Sequence, residues 1–133
     1  MKTIKFLIIN TLMFLTLTSA TAQSSEITSE IISAINYGDG AKLSAFLNAN
    51  VELVIGSKND VYSKQQATGI INDFFRNNKV VSFQLLHKGN KDAASFAIGE
   101  IKANTGNFRV YLLTRKSGQQ TVIQQLRIEL IND

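Results

Sequence analysis

The 133-residue chain contains no cysteine, no proline and no tryptophan, and it has a single histidine. Without cysteine the chain forms no disulfide, so its stability must come from packing alone. One histidine and no cysteine exclude metal sites built from several His or Cys ligands. A metal site built only from carboxylates would need acidic residues grouped in a loop, and the acidic residues of this chain are scattered. We therefore expect no metal and no other cofactor.

Excess charge of one sign is also lacking. Without Lys2 and Lys5 of the N-terminal segment, the chain has 12 basic and 10 acidic side chains. A net charge near +2, without basic clusters interleaved with aromatic residues, is not typical of a nucleic-acid-binding surface. We expect no nucleic-acid partner.

The N-terminal segment has the pattern of a signal peptide. Lys2 and Lys5 precede an uncharged apolar run over residues 6–17, and Ala20-Thr21-Ala22 supplies the small residues of a cleavage site. A membrane anchor is the alternative, but the run has about a dozen residues where a spanning helix needs roughly 20. We expect residues 1–22 to be removed and residues 23–133 to form one periplasmic or secreted domain that is not bound to the membrane.

Two short helices are predicted next. Ser24 or Ser25 can cap the first helix, whose apolar positions have helical spacing. These positions are Ile27, Ile31, Ala34 and Ile35. Asp39, between two glycines, can cap the second helix. Residues 51–55 then predict a short strand and residues 56–60 a polar turn.

The stretch "VYSKQQATGIINDFF" (residues 61–75) predicts a longer third helix. Ser63 and Gln66 have the spacing of a capping box, in which each side chain bonds to the other residue's free backbone N–H. The helix carries one apolar stripe, formed by Ala67, Ile70, Ile71, Phe74 and Phe75. Asn77 and Asn78 are predicted to end it.

From Val80 onward the apolar period changes to two, which predicts four antiparallel strands in sequential order. The predicted strands cover residues 80–88, 93–103, 108–115 and 121–131. The fold class is therefore α+β, with N-terminal helices packed on a four-stranded antiparallel sheet plus one short strand.

Alternation along these strands assigns side chains to two faces. The side chains expected to face the helices are Val81, Phe83, Leu85, Phe96, Ile98, Val110, Leu112, Val122, Leu126, Ile128 and Leu130. The opposite face is expected to hold Arg109, Tyr111, Leu113, Arg115, Ile123, Gln125, Arg127 and Glu129. Because Tyr111, Leu113 and Ile123 make this second face partly apolar, it is a candidate surface for a homodimer.

Five sequence pieces occur in a characteristic order along the chain: "GDGAKLSAFLNANVELVIG", "VYSKQQATGIINDFF", "LLHKGN", "FAIGEI" and "FRVYLLTR". Together with the order of helices and strands, they resemble a bacterial family of exported proteins, the domain-of-unknown-function 4783 type. This family is similar to the nuclear-transport-factor-2-like (cystatin-like) superfamily. The resemblance implies a cone-shaped domain whose curved sheet wraps a long helix, with a pocket at the wide end, but it implies no particular reaction.

Five side chains are candidates for lining such a pocket and binding a ligand: Tyr62, Phe74, Phe83, His87 and Phe96. Three residues are candidates for catalysis. His87 could act as a general base, but a partly buried structural histidine that bonds to the backbone near Gly89 is the favoured interpretation, because no orienting partner for a base is identified. Tyr62 could offer a phenol donor or pack as a hydrophobic staple before the Ser63 cap. Glu100 could be a buried base or an ordinary exposed carboxylate.

Two classes of function follow. The first is a non-catalytic exported domain that binds a small apolar ligand or a protein partner through the pocket or the sheet face. The alternative is a cofactor-independent enzyme of the isomerase or dehydratase kind, which acts on a small apolar molecule. The sequence contains no Gly-x-Ser-x-Gly motif, so it gives no support for a hydrolase.

Overall fold

The computed structural model describes residues 27–132, which form three helices and six strands. The helices are α1 (Ser29–Asn36), α2 (Gly40–Ser44) and α3 (Lys64–Asn77). The strands are β1 (Leu47–Ile55), β2 (Lys58–Ser63), β3 (Val80–Lys91), β4 (Ala94–Ala103), β5 (Gly106–Ser117) and β6 (Gln120–Leu130). The α+β class is confirmed. The predicted signal peptide and the predicted caps at Ser24 and Ser25 lie outside the described residues.

All six strands belong to one sheet in the order β2-β1-β6-β5-β4-β3. Every neighbouring pair is antiparallel except β1 and β6, which run parallel. The prediction of four strands plus one short strand is therefore wrong in number. Among residues 27–132, no helix is both long and apolar enough to cross a membrane.

The strand that the sequence did not predict is β2, which forms a hairpin with β1. Ile55 pairs with Lys58, so only Gly56 and Ser57 lie in the turn, and Gly56 adopts a φ of 58°. A positive φ is accessible to glycine without steric cost, which allows this tight connection. Because β2 is polar and exposed along most of its length, it has no alternation of apolar residues that a pattern search would detect.

The helix boundaries follow from capping. The Thr28 hydroxyl accepts a hydrogen bond from the Ile31 amide at the start of α1. The Asp39 carboxylate accepts from the Lys42 amide at the start of α2, as predicted. Each of these bonds satisfies a backbone donor that would otherwise lack a partner within its helix.

The predicted capping box of α3 is confirmed. The Gln66 amide donates to the Ser63 hydroxyl over 3.2 Å, and the Ser63 amide donates to the Gln66 side-chain oxygen over 3.3 Å. The helix ends at Asn77, and the backbone and side-chain nitrogens of the C-cap residue Asn78 both donate to the Phe74 carbonyl. The apolar stripe of α3 is thereby held over the sheet.

One hydrophobic core lies between the helices and one face of the sheet, here called the inner face. Its fully buried members come from every layer of the fold and include Ile31, Leu43, Leu53, Ile71, Ile101, Leu112 and Leu126. Burying one such side chain contributes about 1.5–3 kcal/mol. The core thus provides the stability that no disulfide supplies.

The predicted orientation of β4 is wrong. Its buried residues are Ser95, Ala97, Gly99 and Ile101, whereas Phe96 and Ile98 point to the opposite side. Small residues lie inward because the Phe83 ring of β3 covers Gly99, where a Cβ atom would come within 2.4 Å of the ring. Side-chain size, rather than hydrophobicity, decides the orientation here.

Bulges account for further orientation errors. Val81 and Leu86 in β3 and Gln124 in β6 have no partner in register, so each inserts one extra residue and reverses the alternation beyond it. Val81, predicted to be inside, is 74% exposed. The reverse applies to Ile123, which is fully buried although it was assigned to the opposite face. Val122, also predicted to be inside, pairs with Arg115 on the opposite side. Leu130 keeps the predicted inward register with Phe108 but is exposed at the end of the strand.

Candidate functional site

The six residues predicted to form a site lie on two different faces of the sheet. Tyr62 pairs in register with the buried Val51 and packs against the core, and Phe74 and Phe83 also lie on the inner side. The bulge at Leu86 turns His87 to the opposite side, where it pairs with Ile98. Phe96 and Glu100 lie on that side as well. The six candidate residues therefore do not lie together in one pocket.

Aromatic packing accounts for the inner members of this set. Phe74 contacts Phe75 and Phe108 edge-on, with ring centroids 5.5 Å and 5.0 Å apart. Such edge-to-face pairs are the preferred arrangement of buried aromatic rings. Phe74 and Phe83 thus help to fill the interior, and their predicted role in ligand binding stays a prediction.

His87 lacks the surroundings of a general base. It is exposed, and its ring lies 5.5 Å from the Phe96 ring at an angle of 49°. Within residues 27–132 it makes no hydrogen bond that would orient the imidazole, and a catalytic base needs such a partner. Glu100 pairs in register with Arg109 and Gln84 on neighbouring strands. No cluster of three or more His, Asp or Glu side chains suited to a metal occurs in the described part of the chain.

Lys64, a cation in the first turn of α3, has a structural role. Its ammonium group donates to the Ala45 carbonyl over 3.3 Å, at the C-terminal end of α2. A positive charge is favourable there because the last carbonyl groups of a helix carry partial negative charge. The unfavourable position of Lys64 at the start of α3 is therefore offset at the end of another helix.

The sheet surface opposite the helices, here called the outer face, carries a mixture of apolar and charged side chains. Its central members are Phe96, Ile98, Arg109, Tyr111, Leu113, Gln125, Arg127 and Glu129. No helix of residues 27–132 packs on this face. It forms two adjoining depressions that share Tyr111, of about 440 Å³ beside Arg109 and Arg127 and about 500 Å³ beside Phe96 and Leu113.

Charge on the outer face is only partly paired. The Arg127 guanidinium contacts the Glu129 carboxylate at 2.7 Å, with about half of each side chain exposed. Arg109 lies between Glu100 and Glu129 in register but forms no ion pair with any residue of the described range. The periodicity of β5 did predict that Arg109 and Tyr111 face away from the helices, but Phe96 and Ile98 were missed because the orientation of β4 was reversed.

A third depression of about 260 Å³ flanks the two on the outer face, toward β1 and β2. Its polar lining consists of Asn48, Asn50, Glu52, Gln124 and Gln125, and Val61 and Leu113 form its apolar walls. It is named the amide cleft below. No local sequence pattern marks this cleft, because its residues come from four strands and Gln124 lies at a bulge.

Comparison with known proteins assigns the chain to a family, both by its sequence and by its fold. The family model "Domain of unknown function (DUF4783)" matches residues 28–129. A DUF4783 family protein from Bacteroides ovatus is 36% identical with a TM-score of 0.78, and the match covers 83% of this chain and 100% of that one. A DUF4783 family protein from Bacteroides uniformis is 34% identical with a TM-score of 0.76, over 81% and 100% of the two chains.

A more distant neighbour shows the wider fold relationship. The protein "Rd1NTF2_04 with long sheet" is 18% identical with a TM-score of 0.57, over 74% of this chain and 93% of that one. At this identity the likeness concerns the fold alone. No curated protein matches the chain.

Proposed function

The chain belongs to the DUF4783 family and has a nuclear-transport-factor-2-like fold. We propose that it is an exported, non-catalytic binding domain. In this proposal it pairs with a second copy of itself through the outer face. The observation that supports this pairing most directly is that the helices cover only one face of the six-stranded sheet. Export is supported by the signal-peptide pattern of residues 1–22.

The interior gives less support to a ligand pocket. In the cone-shaped arrangement that we infer for this family, a pocket would lie between α3 and the inner face. Fully buried aliphatic side chains occupy this region, among them Ile71, Leu112 and Leu126. None of the depressions described above is lined by Phe74 or Phe83. An interior packed in this way leaves little space for a small apolar ligand.

The enzyme alternative draws no support from the geometry. Tyr62 lies on the inner side, while His87 and Glu100 lie on the outer face, so one small substrate could not contact all three. A general base and its orienting partner must lie within hydrogen-bond reach of each other. Catalysis by these residues therefore stays a prediction without a supporting contact.

The composition of the outer face is suited to a protein interface. Ile98, Tyr111 and Leu113 lie on adjacent positions of β4 and β5, and charged side chains surround them. Protein interfaces commonly combine an apolar, aromatic centre with a polar rim, and tyrosine and arginine are enriched among their residues. The size of the face is also sufficient. Six strands that are about 4.8 Å apart and have about ten residues each cover ~950 Å², of the order of the ~800 Å² that each partner buries in a standard interface.

Charge complementarity favours a second copy as the partner. The outer face carries basic side chains (Lys91, Lys102, Arg109, Arg115 and Arg127) and acidic ones (Glu52, Asp92, Glu100 and Glu129). A two-fold interface brings the same surface together with itself, so both signs must be present on that surface to avoid repulsion. Both signs are present on this face, and its unpaired Arg109 can meet a carboxylate of the partner.

Sedimentation velocity of the mature chain, residues 23–133, tests the proposal. We expect a reversible dimer, and we expect Tyr111→Glu to weaken its dissociation constant at least about tenfold because a buried charge replaces a central aromatic contact. Tyr37→Glu is the matched control, since Tyr37 is 79% exposed at the end of α1. A wild-type chain that stays monomeric at high concentration, or equal effects of the two variants, would overturn the proposal.

A further inference from the structure

The amide cleft contains unusually many free amide groups in a small space. Asn48, Asn50, Gln124 and Gln125 contribute side-chain amides, and Glu52 contributes a carboxylate. Within the described residues, none of these five side chains makes a hydrogen bond or an ion pair. Each amide offers two donor hydrogens and an acceptor oxygen, so the cleft presents both kinds of group to an occupant.

An interruption of the sheet places these amides together. Leu47 pairs with Ile123 and Glu52 pairs with Gln125, so the four residues 48–51 of β1 lie opposite the single residue Gln124 of β6. Gln124 is also the bulged residue in the pairing of β6 with β5. Bulges redirect side chains and are over-represented beside binding sites. The local backbone is therefore irregular where the free amides converge.

The chemistry of the cleft restricts its occupant. The lining contains one carboxylate and no cation, which disfavours an anionic ligand. Hydroxyl groups donate and accept simultaneously, so a ligand with several neighbouring hydroxyls can satisfy amides and carboxylate together. Val61, which is 57% exposed, and the half-buried Leu113 give apolar contact for C–H groups.

We propose that the amide cleft binds a neutral polyhydroxylated ligand of the size of one hexose ring. Its volume of about 260 Å³ is near the lower end of the roughly 300–1,000 Å³ range of small-molecule pockets, which suits one sugar ring. Asn48, Asn50, Gln124 and Gln125 hydrogen-bond its hydroxyls, and Leu113 contacts its apolar edge. Glu52, Leu113 and Gln125 belong to both the cleft and the outer face, so ligand binding competes with pairing for these residues but does not require it.

Nuclear magnetic resonance titration of the mature chain, with ¹⁵N-labelled side-chain amides, tests this proposal. The probes are glucose, galactose, mannose and N-acetylglucosamine, with glycerol as the comparison compound. We expect at least one sugar to shift the resonances of the four cleft amides saturably, with a dissociation constant of ~10 mM or tighter. No saturable shift with any of the sugars, or equal shifts with glycerol, would overturn the inference.

Variants separate the cleft from the rest of the surface. Gln124→Ala and Asn50→Ala should each weaken sugar binding at least about tenfold, as expected when a hydrogen-bonding group of a polar site is removed. Gln119→Ala, at an exposed turn between β5 and β6, is the control and should leave binding unchanged. The same titration on Tyr111→Glu distinguishes the two proposals, since sugar binding should persist when pairing is lost. Binding that is insensitive to Gln124→Ala and Asn50→Ala would place the sugar elsewhere and refute the proposal.

Discussion

Replacing Gly99 with alanine should destabilise the domain because the inner face has no room for one more methyl group. An ideal Cβ atom at Gly99 would lie 2.4 Å from two atoms of the Phe83 ring and 2.8 Å from the Gln84 carbonyl oxygen. The carbonyl belongs to the backbone of β3 and cannot rotate away. Overpacking of this kind costs about 1–3 kcal/mol of unfolding free energy. For a domain of this size, each kcal/mol lowers the melting temperature by roughly 4–8 °C.

Gly69→Ala is the matched control for Gly99→Ala. Gly69 is exposed in the middle of α3, and no atom lies within 4 Å of the position that a Cβ would occupy. Alanine in a helix interior is favoured over glycine by up to about 1 kcal/mol, so this variant should be stabilised. Urea unfolding followed by circular dichroism measures both changes, and an unchanged slope would show that the compactness of the two states is unaltered.

A double-mutant cycle isolates the contact with the ring. If Phe83 causes most of the penalty, Phe83→Leu should reduce the cost of Gly99→Ala, with a coupling of at least ~0.5 kcal/mol. The reasoning would be refuted if Gly99→Ala were as stable as the wild type. It would also be refuted if the two substitutions were additive and the penalty were independent of residue 83.

Two further predictions concern the start of α3 and the start of the mature chain. Ser63→Ala removes the hydroxyl that accepts from the Gln66 amide, so it should lower the unfolding free energy, measured by urea unfolding, by about 1 kcal/mol. The control Ser57→Ala, in the β1–β2 turn, should have little effect. Equal losses of stability in the two variants would argue against the cap. Mass spectrometry of the exported protein should find Gln23 at the N-terminus, and an intact residue 1–22 segment in that fraction would contradict the predicted cleavage.

The helices were predictable where a local interaction specifies them. Ser63 and Gln66 bond to each other's backbone, and Asp39 bonds to a backbone amide three residues later, so the sequence alone carries the signal. The strand β2 was not predictable in the same way. Its position depends on pairing with β1, and its polar sequence has no periodicity of its own.

The candidate site was less predictable because orientation in a sheet depends on distant residues. Hydrophobicity placed Phe96 and Ile98 inward, but packing of Phe83 over Gly99 requires the opposite orientation. The bulge at Leu86 then moves His87 to the outer face, and no local sequence signal marks that bulge. A one-residue shift reverses every side chain beyond it, so a small error in register relocates a whole site.

The central claim is that the outer face pairs with the same face of a second copy. Isotope-filtered nuclear Overhauser measurements on a mixture of labelled and unlabelled mature chains test it most directly. We predict intermolecular contacts from Ile98 and Tyr111, the apolar centre of that face. Intermolecular contacts that arise instead from the helix side, for example from Tyr37, would contradict the account.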